Sequence, residues 1–396
     1  MAYLSRLCRR SIFSRHYSSI LAPEATAPLT SKQKSRAALS LLKTEKNPDR
    51  IVEICRAASL TPESSLDRVA FSVAVAKLTE SQHFDSVRSL LEDLKTSRVD
   101  LRNEKFICKA IILYGRATML DHAIRSFKQM DELDIRRTVK SLNALLYACV
   151  LADKHDEVNR IFREFPKVYG ITPDLETYNT VIKALCDCGS SSSVYAILDE
   201  MERKKVKPNA TSYTTLLAGF YKEEKYEDVG KVLDLMKKND IRVGLSTYNV
   251  RIQSLCKLKK SSEAKALFEG MLSRNMKPNS NTYCHLIYGF CKEGNLAEAK
   301  RLFEDMEKRG CAEDSNCHFT LIYYLVQGGD FYSALNLYKK CMEKNWIPTF
   351  TTMKGLVNGL ASISKVEEAR EIVGKMKEKF PNCEEMWQVV ENGLPQ

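Results

Sequence analysis

Between Ser280 and Asp314 the apolar residues fall at Tyr283, Leu286, Ile287 and Phe290, and then at Ala299, Leu302, Phe303 and Met306. Each set follows i, i+3, i+4, i+7, the stripe of an amphipathic helix with polar residues on its other faces. Between the sets lie Lys292, Glu293, Gly294 and Asn295, a short turn whose glycine can take the left-handed conformation that ends a helix. The segment therefore predicts a helical hairpin. The same slots return one period earlier as Ile252, Leu255, Ala264, Leu267, Phe268 and Met271, and two periods earlier as Leu216, Leu217, Phe220, Leu233 and Met236. Tyr178, Tyr213, Tyr248 and Tyr283 mark that period, 35 residues each time, and Pro208, Pro278 and Pro348 stand just before unit boundaries, where a proline stops a second helix. A period of 20 to 50 residues is the mark of an all-α solenoid, in which each unit buries its apolar face only by stacking on its neighbours.

Carried outward, the register predicts nine units: 68–103, 104–138, 139–174, 175–209, 210–244, 245–279, 280–314, 315–349 and 350–384. The unit 139–174 holds one extra residue, placed between Pro166 and Gly170, and in 315–349 His318 replaces the tyrosine. A looser helical pair is expected to cap the front over 35–67, and 385–396 is a short closing segment, as terminal units of solenoids are atypical. An array of this kind reads as one continuous architectural domain.

Composition then narrows the function. No apolar run approaches the 18 or so residues that span a bilayer, so no membrane partner is expected. The formal charge of +11 leaves room for a polyanionic partner, although 175–314 carries 23 Lys and Arg against 20 Asp and Glu. Thirteen cysteines include no Cys-x-x-Cys spacing, and Cys186, Cys256 and Cys291 share one apolar slot of the first helix, which reads as small buried hydrophobes in a reducing compartment and not as a metal site. The start of the chain has Arg6, Arg9, Arg10 and Arg15, five serines before Ile20 and no acidic residue before Glu24. That is the composition of an organellar transit peptide, assigned to 1–30. The run from Arg15 to Ser19 resembles a matrix-peptidase site with cleavage near 17/18, which favours the mitochondrial matrix.

The stretches Thr177 to Gly189, Ala196 to Asn209 and Thr282 to Gly310 resemble the 35-residue units of plant organellar pentatricopeptide repeat proteins built only of standard repeats. The resemblance implies a right-handed superhelical α-solenoid of helix-turn-helix repeats that binds single-stranded RNA, one nucleotide per unit, read by a few side chains. The reading pair it implies is the residue after the tyrosine slot and the last residue of the unit. Here these are Ser72 with Asn103, Cys108 with Thr138, Asn143 with Asp174, Asn179 with Asn209, Thr214 with Gly244, Asn249 with Asn279, Cys284 with Asp314, Phe319 with Thr349, and Lys354 with Glu384. Asn143 with Asp174 would favour U, and Asn179 with Asn209 and Asn249 with Asn279 would favour C, so the address is no longer than U-C-x-C. The second residue of each unit, usually an aliphatic wedge against the base, is polar here: Lys140, Glu176, Thr211, Ser246, Asn281, Asn316 and Thr351.

Lys222, Lys257 and Lys292 recur at the end of the first helix, where a cation meets RNA phosphate and also complements the helix terminus. No nucleophile and base, no metal cluster and no deaminase signature occur, so neither an enzyme, a cofactor nor a small-molecule substrate is expected. Two functional readings stay open: an RNA-associated component of the mitochondrial translation machinery, touching rRNA and mitoribosomal proteins, and a free factor for one mitochondrial mRNA. A protein-binding scaffold is the third.

Overall fold

The computed structural model describes residues 20–21, 30–59, 68–97, 102–311, 314–380 and 384–395. The transit segment expected over 1–30, with its cleavage point, lies outside these residues apart from 20, 21 and 30. Among the described residues every long element is an α-helix, and no helix is long and apolar enough to cross a membrane. Contacts gather into two compact units, 1–208 and 209–396, where the sequence suggested a single one. Solenoid packing is nearest-neighbour, so no shared core obliges all repeats to cluster together.

The first unit contains α1 (Ser31–Thr44), α2 (Pro48–Ser59), α3 (Arg68–Glu80), α4 (Phe84–Ser97), α5 (Glu104–Arg116), α6 (Leu120–Lys128), α7 (Val139–Leu151), α8 (His155–Tyr169), α9 (Leu175–Asp187) and α10 (Val194–Arg203). The second contains α11 (Ala210–Lys222), α12 (Tyr226–Lys238), α13 (Leu245–Lys257), α14 (Ser261–Ser273), α15 (Ser280–Lys292), α16 (Leu296–Lys308), α17 (Ser315–Gln327), α18 (Phe331–Glu343), α19 (Phe350–Ser362), α20 (Val366–Lys379) and α21 (Glu384–Asn392). From α3 onward the helices alternate as first and second members of antiparallel hairpins, and first helices pack on the first helices of adjacent repeats within each unit. The helix α8 runs 15 residues with Pro166 inside it and ends on Gly170, whose φ of 63° is left-handed, which accommodates the extra residue of that repeat.

Local chemistry explains where the helices stop and start. Asn103, Thr138, Asp174, Asn209, Asn279, Asp314 and Thr349 each sit extended at a first-helix N-cap, and the side-chain oxygen accepts from a backbone amide of the next turn. At Gly244 no side chain is available to do so. Hairpin turns close with a 6→1 bond such as Asn295 N to Phe290 O (2.9 Å) around a left-handed residue. That residue is glycine at Gly189, Gly294 and Gly329 but Gln82, Thr118, Asp153, Glu224, Lys259 and Ser364 elsewhere, so glycine spacing alone understates the number of turns.

The core is the predicted stripe. Tyr178, Tyr213, Tyr248 and Tyr283 are all buried, as is His318 in the same slot, where its ring meets Phe303 and Trp346 edge-on at 4.8 and 5.2 Å. Tyr178 donates to Glu200 (3.2 Å) and Tyr283 to Asp305 (2.7 Å), which satisfies each phenol from the second helix of its own hairpin. Cys186, Cys256 and Cys291 are buried in their common slot, and burial pushes the Cys256 and Cys291 thiols up to about 12.

Close approach of first helices sets a testable limit. A Cβ on Gly115 of α5 would lie 2.5 Å from the Ala148 Cα of α7, a backbone atom that a side-chain rotation cannot move. Gly115→Ala is expected to destabilise the first unit by about 1–3 kcal/mol. Thermal unfolding followed by circular dichroism checks this, and an unchanged midpoint would contradict the packing described.

Candidate nucleic-acid interface

Each first helix leaves one stripe to solvent. In α15 it runs through Asn281, Tyr288 and Lys292, with Cys284 half-buried on the same face. The polar second residues Lys140, Glu176, Thr211, Ser246, Asn281, Asn316 and Thr351 are all exposed on this stripe. Lys222, Lys257 and Lys292 are the last residues of α11, α13 and α15, also exposed, and the Lys292 ammonium lies 5.8 Å from the centre of the Tyr288 ring.

Two of the sequence-predicted pairs meet directly. Asn143 Nδ2 donates to Asp174 Oδ1 (3.0 Å), and the Thr177 hydroxyl donates to Asn143 Oδ1 (2.6 Å). The same Asp174 oxygen accepts from Thr177 N (2.9 Å) and lies 3.0 Å from the Thr177 hydroxyl oxygen, whose single proton is shared with the shorter contact to Asn143. An ionised aspartate only accepts, so the Asn143 amide nitrogen must face it and its oxygen must turn to Thr177. Partial burial works to raise the Asp174 pKa, but the Thr177 and Asn143 donors outweigh it, and the carboxyl titrates below its ordinary range. Asn143 itself is only 5% exposed, recessed beneath the stripe.

The second pair repeats this wiring with one change of chemistry. Asn249 Nδ2 donates to Asn279 Oδ1 (3.2 Å), the Thr282 hydroxyl donates to Asn249 Oδ1 (2.7 Å), and Thr282 N donates to Asn279 Oδ1 (3.1 Å). What these bonds leave over differs between the pairs. The Asp174 carboxylate, which also accepts from the Glu176 backbone amide, offers only acceptors, whereas Asn279 keeps a donor, its amide nitrogen.

The surroundings of the other predicted residues are as follows. Thr214 is buried and its hydroxyl donates to Thr211 O (3.1 Å) in its own helix, while Gly244 has no side chain to offer. Ser72 lies half-buried on α3, Asn103 caps Phe106 N (3.0 Å), Asn179 lies half-buried on α9, and Asn209 caps Ser212 N (3.1 Å). Cys284 is joined to Cys317 in a disulfide, which overturns its reading as a free base-contacting thiol in a fully reduced chain. Its sulfur is 3.9 Å from Asp314 Oδ2 but has no proton to donate, and Asp314 caps Asn316 N (3.0 Å).

That disulfide stands where the other pairs have a hydrogen bond. Cys284 corresponds to Asn143 and Asn249, and Cys317 to Thr177 and Thr282, so a covalent link replaces the hydroxyl-to-amide contact between consecutive repeats. The third-position hydroxyls hold the slot amides and are not among the residues expected from the sequence. Their signal was present in the regular recurrence of Ser141, Thr177, Ser212, Thr247, Thr282 and Thr352, all of them buried. Among the described residues no group of His, Cys, Asp or Glu could hold a metal ion.

Family models match along most of this array. The PPR repeat family model matches residues 173–222, 210–257, 243–292 and 282–322, the pentatricopeptide repeat domain 125–187, and the PPR repeat 351–379. A mitochondrial pentatricopeptide repeat-containing protein of Arabidopsis thaliana is 62% identical over 368 residues, 93% of this chain and 91% of that one. The small ribosomal subunit protein mS78 (rPPR3a) of Arabidopsis thaliana is 36% identical over 212 residues, a match that spans 52% of either chain. Among solved structures, the pentatricopeptide repeat protein PPR10 from maize superposes with a TM-score of 0.44 at 16% identity, over 92% of this chain and 66% of that one.

The double use of Asp174 as cap and pair partner has a measurable cost when it is removed. Asp174→Ala strips the cap from α9 and leaves Asn143 and Thr177 donors unpaired, and should destabilise the protein by about 1 kcal/mol or more. Because the folded-state pKa is depressed, the carboxylate's stabilisation is present above the ordinary value of 3.8 and is lost as pH falls through the lower folded value. Denaturant unfolding of both proteins from pH 7 to pH 3 should therefore show the gap between them narrowing toward acid; a gap constant with pH would count against this wiring.

Proposed function

Because the chain belongs to the pentatricopeptide repeat family, we propose that it holds single-stranded RNA along the exposed stripe of its first helices, without catalysing a reaction, as an RNA-associated component of the mitochondrial translation machinery. The observation that carries the RNA reading is the pair of preorganised amide sites at Asn143 and Asn249. Uracil presents a donor at N3 and cytosine an acceptor. The acceptor left on Asp174 suits the first, and the donor left on Asn279 suits the second. Asn179 and Asn209 are of the same residue types as the second pair and extend the proposed address to U-C-x-C. Lys222, Lys257 and Lys292 supply the sequence-independent share through phosphate contact.

The translation assignment draws on two facts. A relative of about half-length coverage is named as a small ribosomal subunit protein, and the highly identical one is named as mitochondrial. The polar second positions agree with it, since a chain without the apolar base wedge gains less from free RNA and more from a surface presented by an assembly. Leading residues rich in arginine and serine support import into the mitochondrial matrix. The second reading, a free factor for a single transcript, is favoured by the completeness of the Asn143 and Asn249 sites. Sedimentation of tagged protein from mitochondria, with sequencing of crosslinked RNA, separates the two. Recovery in ribosomal fractions on rRNA supports the assembly, and a lone mRNA footprint away from those fractions overturns it.

Base preference gives the finer test. Asn279→Asp exchanges the free donor for an acceptor and should turn preference at that position from C to U by about tenfold or more in competition binding. Cys284→Asn together with Cys317→Thr rebuilds the amide-to-hydroxyl contact beside Asp314, and should add a U-preferring position after the address, tightening a matched oligonucleotide by about tenfold. If neither variant changes base preference, these side chains do not read the RNA.

A further inference from the structure

In the repeat 280–314 a single carboxylate ties the hairpin together. Tyr283 donates to Asp305 Oδ2 (2.7 Å) and Arg309 Nε donates to the same oxygen (2.8 Å). Thirty-five residues earlier the counterparts are Tyr248, Gly270 and Arg274. The phenol and the guanidinium are kept, and the carboxylate between them is gone. Glycine inside α14 destabilises the helix relative to alanine. Nothing steric requires it, because a Cβ on Gly270 would meet no heavy atom within 4 Å.

The space so left is part of a cleft of about 750 Å³ between α12, the link 240–243, α13 and α14. Arg242, Arg251, Arg274 and Lys237 line it, together with Asp234 and Asp240. Arg251 is held by Tyr221 (Nε to Oη, 3.1 Å), while Arg242 and Arg274 form no ion pair among the described residues. Asn249 and Lys257 are not among its lining residues, so the cleft is separate from the reading slots of the same repeat.

We propose that this cleft is a docking site for an acidic side chain of a partner protein, whose carboxylate takes the place between Tyr248 and Arg274 that Asp305 takes between Tyr283 and Arg309. The charge balance selects that occupant. Four cations against two aspartates leave room for one or two negative charges, whereas a run of RNA phosphates would be repelled by Asp234 and Asp240. Tyr248 and Arg274 line the cleft and occupy the repeat positions of Tyr283 and Arg309, the two donors that hold the Asp305 carboxylate in the next repeat. The site goes beyond RNA binding and stands or falls independently of it.

The test uses the full chain and a fluorescent blocked peptide, Gly-Asp-Gly-Asp-Gly, with Gly-Asn-Gly-Asn-Gly as its uncharged counterpart. The acidic peptide should bind and the amide peptide should bind at least tenfold more weakly. Gly270→Asp supplies the missing carboxylate from within, so it should weaken the acidic peptide at least tenfold while raising the thermal midpoint, and Arg274→Gln should weaken it without raising the midpoint. Gly270→Asn fills the same volume without charge; a midpoint raised as much as by Gly270→Asp would overturn the charge pairing. Equal binding of the two peptides, indifference to Gly270→Asp, or displacement of the peptide by a single-stranded RNA oligonucleotide or by inorganic phosphate at equal concentration would each overturn the proposal. Loss of RNA binding with peptide binding intact would instead strike only at the RNA reading.

Discussion

A first helix begins with backbone amides that have no partner of their own, and in this chain the residue that closes one repeat supplies a partner to the helix that opens the next. Asp174 and Asn279 do this through one oxygen, and the same oxygen anchors the amide of Asn143 or Asn249 from the repeat before. Helix initiation, repeat stacking and the orientation of the slot amide therefore depend on one side chain. Where that side chain is absent, at Gly244, the slot residue Thr214 turns its hydroxyl back into its own helix.

This dependence bears on which repeats hold an amide in the slot proposed to face a base. A cap can be Asn, Asp or Thr and still start a helix, so the framework tolerates substitutions that the reading slot does not. A complete slot needs an amide at the fifth position, a cap with a free second polar atom, and a hydroxyl at the third position of the following repeat. Asn143, Asn179 and Asn249 each have these three residue types in place. At Cys284 the link between consecutive repeats is kept by a disulfide to Cys317, with no amide left to face a nucleotide. Tyr248, Gly270 and Arg274 show the same principle on the other side of the hairpin, where the framework survives loss of a carboxylate and a charged cleft results.

Much of this was legible in the residues alone. Period, hairpin structure, the apolar slots and the tyrosine column all follow from helical periodicity, because burial is decided by which face a residue occupies and that is a function of spacing. Pro166 and Gly170 located the irregular repeat for the same local reason. Turns were less legible: Glu224 and Lys259 take the left-handed conformation without being glycine, held there by the 6→1 bond of the hairpin. The candidate site was legible in its residue types and not in its bonding, since the contacts of Asn143 run to residues 31 and 34 positions away.

By itself, then, the sequence determined an all-α array of 35-residue hairpins, its core and the column of residues that could face a ligand, because each of these is set by local periodicity. Only the tertiary structure decided which members of that column are already engaged, that Cys284 and Cys317 are joined, and that Gly270 leaves an open place between a tyrosine and an arginine. Those outcomes depend on the distance between side chains of neighbouring helices, a quantity that spacing along the chain does not contain.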